Sequence, residues 1–222
     1  MRVAAYQAVA TQLSLLSDRQ LGDLVAGASP FRTGIGGRLS ELDVEGRRVI
    51  VKRVPLTDIE LRPENVRSTA NLFGLPMFYQ YGFGSARFGA WRELAVHTVT
   101  TNWVLAGKYQ GFPLTYHWRV LPDTAPEGFA DDFGGIAGTV AHWDGSPAVR
   151  ERLTAIGESC FSLVFFLEYV PWRLDDWLRG TDCSPYPWVE EALLRGTAFM
   201  RSQGLVHFDG SSAPPPARRG RA

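Results

Sequence analysis

The stretch Phe161-Ser-Leu-Val-Phe-Phe-Leu-Glu-Tyr-Val170 constrains the fold more than any other part of the chain. Its β-branched and aromatic residues favour a strand, and it is too apolar to stand in water on both faces, so it predicts a central strand of a sheet. Pro171 ends it. A chain holding such a strand must also supply neighbours for it, and 222 residues with 45% hydrophobic content suffice for one ordinary domain or two small lobes.

Those neighbours are readable upstream. Gly34, Gly36 and Gly37 precede an extended run from Leu39 to Val44, Glu45-Gly46 makes a turn, and Arg48 to Val54 continues as a second strand, which together predict a β-hairpin. Phe112 to Leu121 has strand character. Between them, residues 55 to 90 are rich in proline and glycine and read as loops with short elements, and 122 to 147 reads as a loop-rich insertion. Trp91 to Leu105 has helical spacing, although Val96 and the run Thr98 to Thr101 leave a strand reading open.

Helices frame this strand-rich part. Val9, Leu13, Leu16, Leu21, Leu24 and Val25 recur at helical intervals in the first 30 residues, with Ser17 and Asp18 placed to cap the second of two short helices. Ala148 to Ile156 is helical in pattern. Trp188 to Gln203 carries Val189, Ala192, Leu193, Gly196, Phe199 and Met200 on one face, and Gly204 stands where a C-terminal cap belongs. Residues 210 to 222 are polar, Pro-rich and Arg-rich and are expected to be disordered.

Charge and cysteine usage narrow the function classes. Lys plus Arg and Asp plus Glu both count 23, so bulk charge points neither to nucleic acid nor to an anionic membrane surface. The longest apolar run is far too short to span a bilayer, and Cys160 and Cys183 show no metal-ligand spacing. A cytoplasmic protein with reduced thiols is the expectation. His97, His117, His142 and His207 also lack ligand spacing, so no metal site is expected from them.

A few residues carry chemistry. Lys52 lies in Val49-Ile-Val-Lys-Arg-Val54, where a period of two puts it on the face of Ile50 and Val54. A lysine there either meets a carboxylate and an anionic ligand or snorkels to water from an edge strand. Glu93 stands in the first turn of the Trp91 to Leu105 segment, as a partner for a cation or as a complement to the helix dipole. Gly34, Gly36 and Gly37 permit backbone amides to approach phosphates, or simply make a turn. Leu205-Val-His207-Phe-Asp209 follows a capped helix, and its aspartate can accept a proton or orient a hydroxyl, with a surface turn as the alternative.

Their order along the chain resembles that of the protein-kinase-like superfamily, bacterial Ser/Thr kinases or aminoglycoside phosphotransferases, from about Thr33 to Asp209. The resemblance implies an α+β fold with an antiparallel-sheet N-lobe in residues 31 to 170, after a helical lead-in in residues 1 to 30. An incomplete helical C-lobe follows in residues 171 to 209. It implies ATP as ligand, with Gly34, Gly36 and Gly37 over the phosphates, Lys52 contacting them and Glu93 pairing with Lys52. The backbone of Glu168 and Val170 would hold adenine, and His207 and Asp209 would stand in the catalytic loop. Leu39 and Glu41 depart from the family's glycine-loop pattern, and Phe208 departs from its catalytic-loop pattern.

In the family an asparagine and the aspartate of a later Asp-Phe-Gly hold magnesium; neither residue type occurs after Asp209 here, and Asp132-Phe133-Gly134 lies upstream in the insertion. The expectation is therefore a truncated kinase-like chain without turnover, whose relatives phosphorylate a protein or small-molecule hydroxyl, the acceptor being unassigned. The alternative is a non-catalytic nucleotide-binding or protein-interaction module, with a protein partner on the uncovered face of the last helix.

Overall fold

The computed structural model describes residues 2–34, 37–81, 85, 86, 88–171, 174, 177 and 186–206. They form two compact units, Met1–Trp172 and Arg173–Ala222.

The first unit is an α+β assembly around a five-stranded sheet in which every neighbouring pair is antiparallel. The strands are β1 (Ser29–Gly34), β2 (Gly37–Val44), β3 (Arg47–Leu56), β4 (Thr115–Pro122) and β5 (Phe161–Glu168). Their order is β1-β2-β3-β5-β4, so the apolar run from Phe161 lies inside the sheet, hydrogen-bonded to β3 on one side and β4 on the other. The hairpin read from the sequence is β2 and β3. The strand before it, β1, was not legible, because Ser29-Pro-Phe-Arg-Thr-Gly34 has no alternation and carries an irregularity between Pro30 and Arg32.

Both faces of this sheet are covered, which is what an apolar central strand demands. On one face Val49 and Val51 of β3 and Val164 and Phe166 of β5 meet Val9 and Leu13 of α1 (Arg2–Ser14) and Leu21 and Val25 of α2 (Asp18–Ala26). The two helices of residues 1 to 30 thus form a layer on this sheet face. Ser17 caps α2 as expected: its hydroxyl accepts from Gln20 N–H and the Gln20 side chain returns to Ser17 N–H, a complete capping box.

On the other face Leu56, Leu163 and Phe165 pack under Ala90, Trp91 and Leu94, after the short helix α3 (Asp58–Leu61); these three residues belong to α4 (Ala90–Leu105). The helical alternative for this threonine-rich segment is the one realised. Its hydroxyls are absorbed locally: Thr98 donates to Leu94 O at 2.8 Å and Thr100 to Val96 O at 3.0 Å.

The insertions are more structured than their composition suggests. Residues 122 to 147, expected as loop, hold α5 (Gly135–His142), and α6 (Pro147–Gly157) follows. Val140 and Trp143 from this insertion and Val149 and Leu153 of α6 share a buried core with Phe73, Leu75, Tyr79 and Phe88 from residues 55 to 90. The pattern of α6 announces a helix but not that its partners come from the loop-rich residues 55 to 90.

In the second unit α7 (Tyr186–Ser202) is the helix expected from residue 188. Gly204, at φ +76°, closes it: Leu205 N–H donates to Met200 O and Gly204 N–H to Arg201 O, the paired bonds of a Schellman motif. Leu193 and Leu194 of α7 are exposed. No helix among the described residues is long and apolar enough to cross a membrane.

Candidate functional site

β3 and α4 bring together the two residues that the sequence separates by 41 positions. Lys52 Nζ donates to Glu93 Oε1 at 2.5 Å, both side chains being largely buried. Lys52 is on the α4 face of β3 because Val49 and Val51 take the other face and side chains alternate. Glu93 is on the sheet side of α4, one turn from Ala90, and His97, one turn later, places Nε2 at 3.6 Å from the same Oε1. The His97 ring rests near Phe165 at 5.1 Å between centroids, with Nδ1 at 3.2 Å from Thr115 Oγ1.

Burial by itself would raise the Glu93 carboxyl. The Lys52 ammonium and His97 outweigh it and hold the group down at about 2. Glu93 is therefore an anion throughout the physiological range and tethers Lys52 at the sheet.

What starts α4 is a residue that was not read from the sequence. Gly89 precedes the helix with no side-chain cap, and the Ala90 N–H donates instead to Glu60 Oε1 at 3.0 Å. Glu60 also accepts from Thr57 N–H and the Thr57 hydroxyl at 3.0 and 2.7 Å, and from Arg152 Nη1 at 2.7 Å. The Trp91 indole N–H donates to the Glu60 carbonyl at 2.8 Å. Glu60 and Arg152 are each only 2% exposed, so a buried ion pair sets the first turn of the helix that carries Glu93. Thr57-Asp-Ile-Glu60 is a capping-box signature that could have flagged this glutamate.

The glycine hairpin is present in part. Gly34 ends β1 and pairs with Gly37 at the start of β2; Gly36 lies outside the described residues. Gly37 has φ +116°, and a Cβ there would meet Arg53 O at 2.2 Å, so the close approach of β2 to β3 demands glycine. Glu41 lies on the Lys52 face opposite Ile50 and is held by Arg48 through contacts of 2.6 and 2.7 Å. The Arg48 guanidinium in turn lies 3.8 Å from the Tyr169 ring centroid.

At the end of β5, Glu168 N–H donates to Leu114 O at 2.8 Å. Its carboxylate accepts from Arg2 Nε and Nη2 at 2.9 and 2.5 Å and from Leu114 N–H at 3.0 Å. The Glu168 carboxylate is thus held within the domain. Val170 is 57% exposed, two residues beyond the strand end.

His207 and Asp209 lie outside the described residues. Asp132-Phe133-Gly134 falls in the short turn Asp131–Phe133, closed by Gly134 at φ +80°, with Phe133 stacked on His142 at 4.2 Å within the insertion. Among the described residues no group of three or more His, Cys, Asp or Glu is placed to hold a metal ion.

No protein-family model and no curated protein matches the chain.

Proposed function

We propose that the chain is a protein-kinase-like nucleotide-binding protein that takes ATP at the α4 face of its sheet, with Lys52 contacting the phosphates and Glu93 holding Lys52. The contact of 2.5 Å between Lys52 Nζ and Glu93 Oε1 carries this reading. A lysine on the third strand paired to a glutamate on the next long helix is the arrangement protein kinases use to position ATP phosphates. The antiparallel order β1-β2-β3-β5-β4 and the Gly34 to Gly37 hairpin beside β3 support it further. The carbonyl of Glu168 and the backbone of Val170 are the proposed adenine partners.

Transfer of the γ-phosphoryl group would engage His207 and Asp209, and magnesium would neutralise the phosphates; these roles and the acceptor hydroxyl belong to the kinase-like reading as a whole. Thermal denaturation with ATP, with and without magnesium, tests the binding. ATP at about 100 times its Kd is expected to stabilise the wild type by about 2.7 kcal/mol. Lys52→Ala is expected to lose most of that shift. No shift in the wild type, or an equal shift in Lys52→Ala, overturns the proposal.

A further inference from the structure

On the sheet face opposite Lys52, the start of β2 and the end of β3 collect more cationic charge than the fold neutralises. Arg38 and Arg53 are directly cross-strand, and one carboxylate serves both. Arg38 Nη2 donates to Asp123 Oδ1 at 2.5 Å and to Thr124 O at 2.7 Å, while Arg53 Nη1 stands 3.5 Å from the same Oδ1. Asp123 is itself fixed by the Ser162 hydroxyl at 2.8 Å and by Thr124 N–H at 2.9 Å, so its remaining capacity is small.

The unsatisfied donors converge here as well. Among the described residues, five buried side-chain N or O atoms lack a hydrogen-bond partner, and three of them are Arg38 Nε, Arg53 Nε and Ser40 Oγ. Ser40 is two residues from Arg38 on the same strand face, lies opposite Val51, and is 4% exposed. Native folds pair such groups with protein, water or an ion. All three orphaned groups can donate. Two guanidiniums against one carboxylate leave a local excess of positive charge, which favours an anion over neutral water. Burial first and Arg38 second disfavour the charge on Arg53, with Asp123 offsetting only part. The two arginine side chains keep 23% and 24% of their surface in solvent.

We infer that Arg38, Arg53 and Ser40 form a binding site for a phosphate-type oxyanion on the face of the β2–β3 hairpin opposite Lys52. Successive residues on β3 point to opposite sides, so Lys52 and Arg53 cannot serve the same ligand group. The site stands whether or not the chain binds ATP.

Isothermal titration of the full chain with inorganic phosphate, at ionic strength held constant with chloride, tests it. Saturable binding is expected for the wild type and for Lys52→Ala. Arg38→Gln and Arg53→Gln should each weaken it about tenfold or more, the loss of a charge-assisted contact of at least 1.4 kcal/mol. Asp123→Asn, which removes the competing carboxylate, should tighten it, and this opposite sign guards against a general loss of fold. Circular dichroism of each variant identifies any that do not fold, and Arg53→Lys then replaces Arg53→Gln, with weaker binding again expected because an ammonium lacks the fork. Absence of saturable binding by the wild type, or equal affinity in the wild type and the arginine variants, overturns the inference. Loss of phosphate binding in Lys52→Ala would also overturn it, by assigning the phosphate to the other face.

Discussion

Arg2 forks onto Glu168 across 166 residues of sequence, with Nε and Nη2 meeting the two carboxylate oxygens at 2.9 and 2.5 Å. The same guanidinium donates to the carbonyls of Gln110 and Phe112 at 2.9 and 2.6 Å. The first turn of α1 is thereby tied to the end of the central strand and to the approach to β4. Arg2→Ala is expected to destabilise the domain by about 1–2 kcal/mol, a value kept modest because the arginine is about one-third exposed. Urea denaturation checks the magnitude. Hydrogen exchange should show α1 opening before the sheet, and equal protection of α1 in both proteins would contradict the tie.

The Lys52–Glu93 pair makes stability depend on acid. Glu93 ionises near 2 in the fold against an ordinary value near 4.5, so its contribution is complete above about pH 5 and is lost as pH falls toward 2. The loss is on the order of 3 kcal/mol at full protonation. Glu93→Gln should be less stable than the wild type at pH 7 and should lose less on acidification over that window. Parallel pH profiles for the two proteins would refute this.

Glu60 and Arg152 should be costly to separate and cheaper to remove together. Arg152→Ala leaves a buried carboxylate with only neutral donors and is expected to cost about 3–5 kcal/mol. Replacing both by apolar residues of similar volume should recover a large part of that loss, as read by denaturant midpoints. A double variant as unstable as the sum of the single ones would deny the coupling.

Gly89 and Gly37 should resist alanine for different reasons. Gly89, at φ +155°, would bring a Cβ to 2.7 Å from Glu60 Oε1, a side-chain oxygen whose displacement gives up its bond from Ala90 N–H but leaves the backbone in place. Gly37 would bring one to 2.2 Å from a backbone carbonyl that the β3 ladder holds in place. Gly37→Ala is therefore expected to cost at least about 2 kcal/mol and more than Gly89→Ala, by thermal unfolding of the two variants. The reverse order would overturn this account of the hairpin.

Sequence alone determined what local chemistry encodes. The apolar run from Phe161 required an interior strand, Glu45-Gly46 a turn, Ser17 a helix start and Gly204 a helix end, and each is where the residue types place it. Periodicity also put Lys52 and Glu93 on apolar faces, which made them candidates, but nothing local shows that those two faces meet. Only tertiary structure decided that, by docking α4 on the β3–β5 face through Trp91 and Leu94.

The same holds for the long-range ties. Glu60 with Arg152, Arg2 with Glu168, and Arg38 and Arg53 around Asp123 join residues whose neighbours in sequence give no hint of a partner. A charged side chain reads as solvated surface until the fold removes the water. Desolvation then makes a partner obligatory, and which partner is available is a property of the packed domain alone.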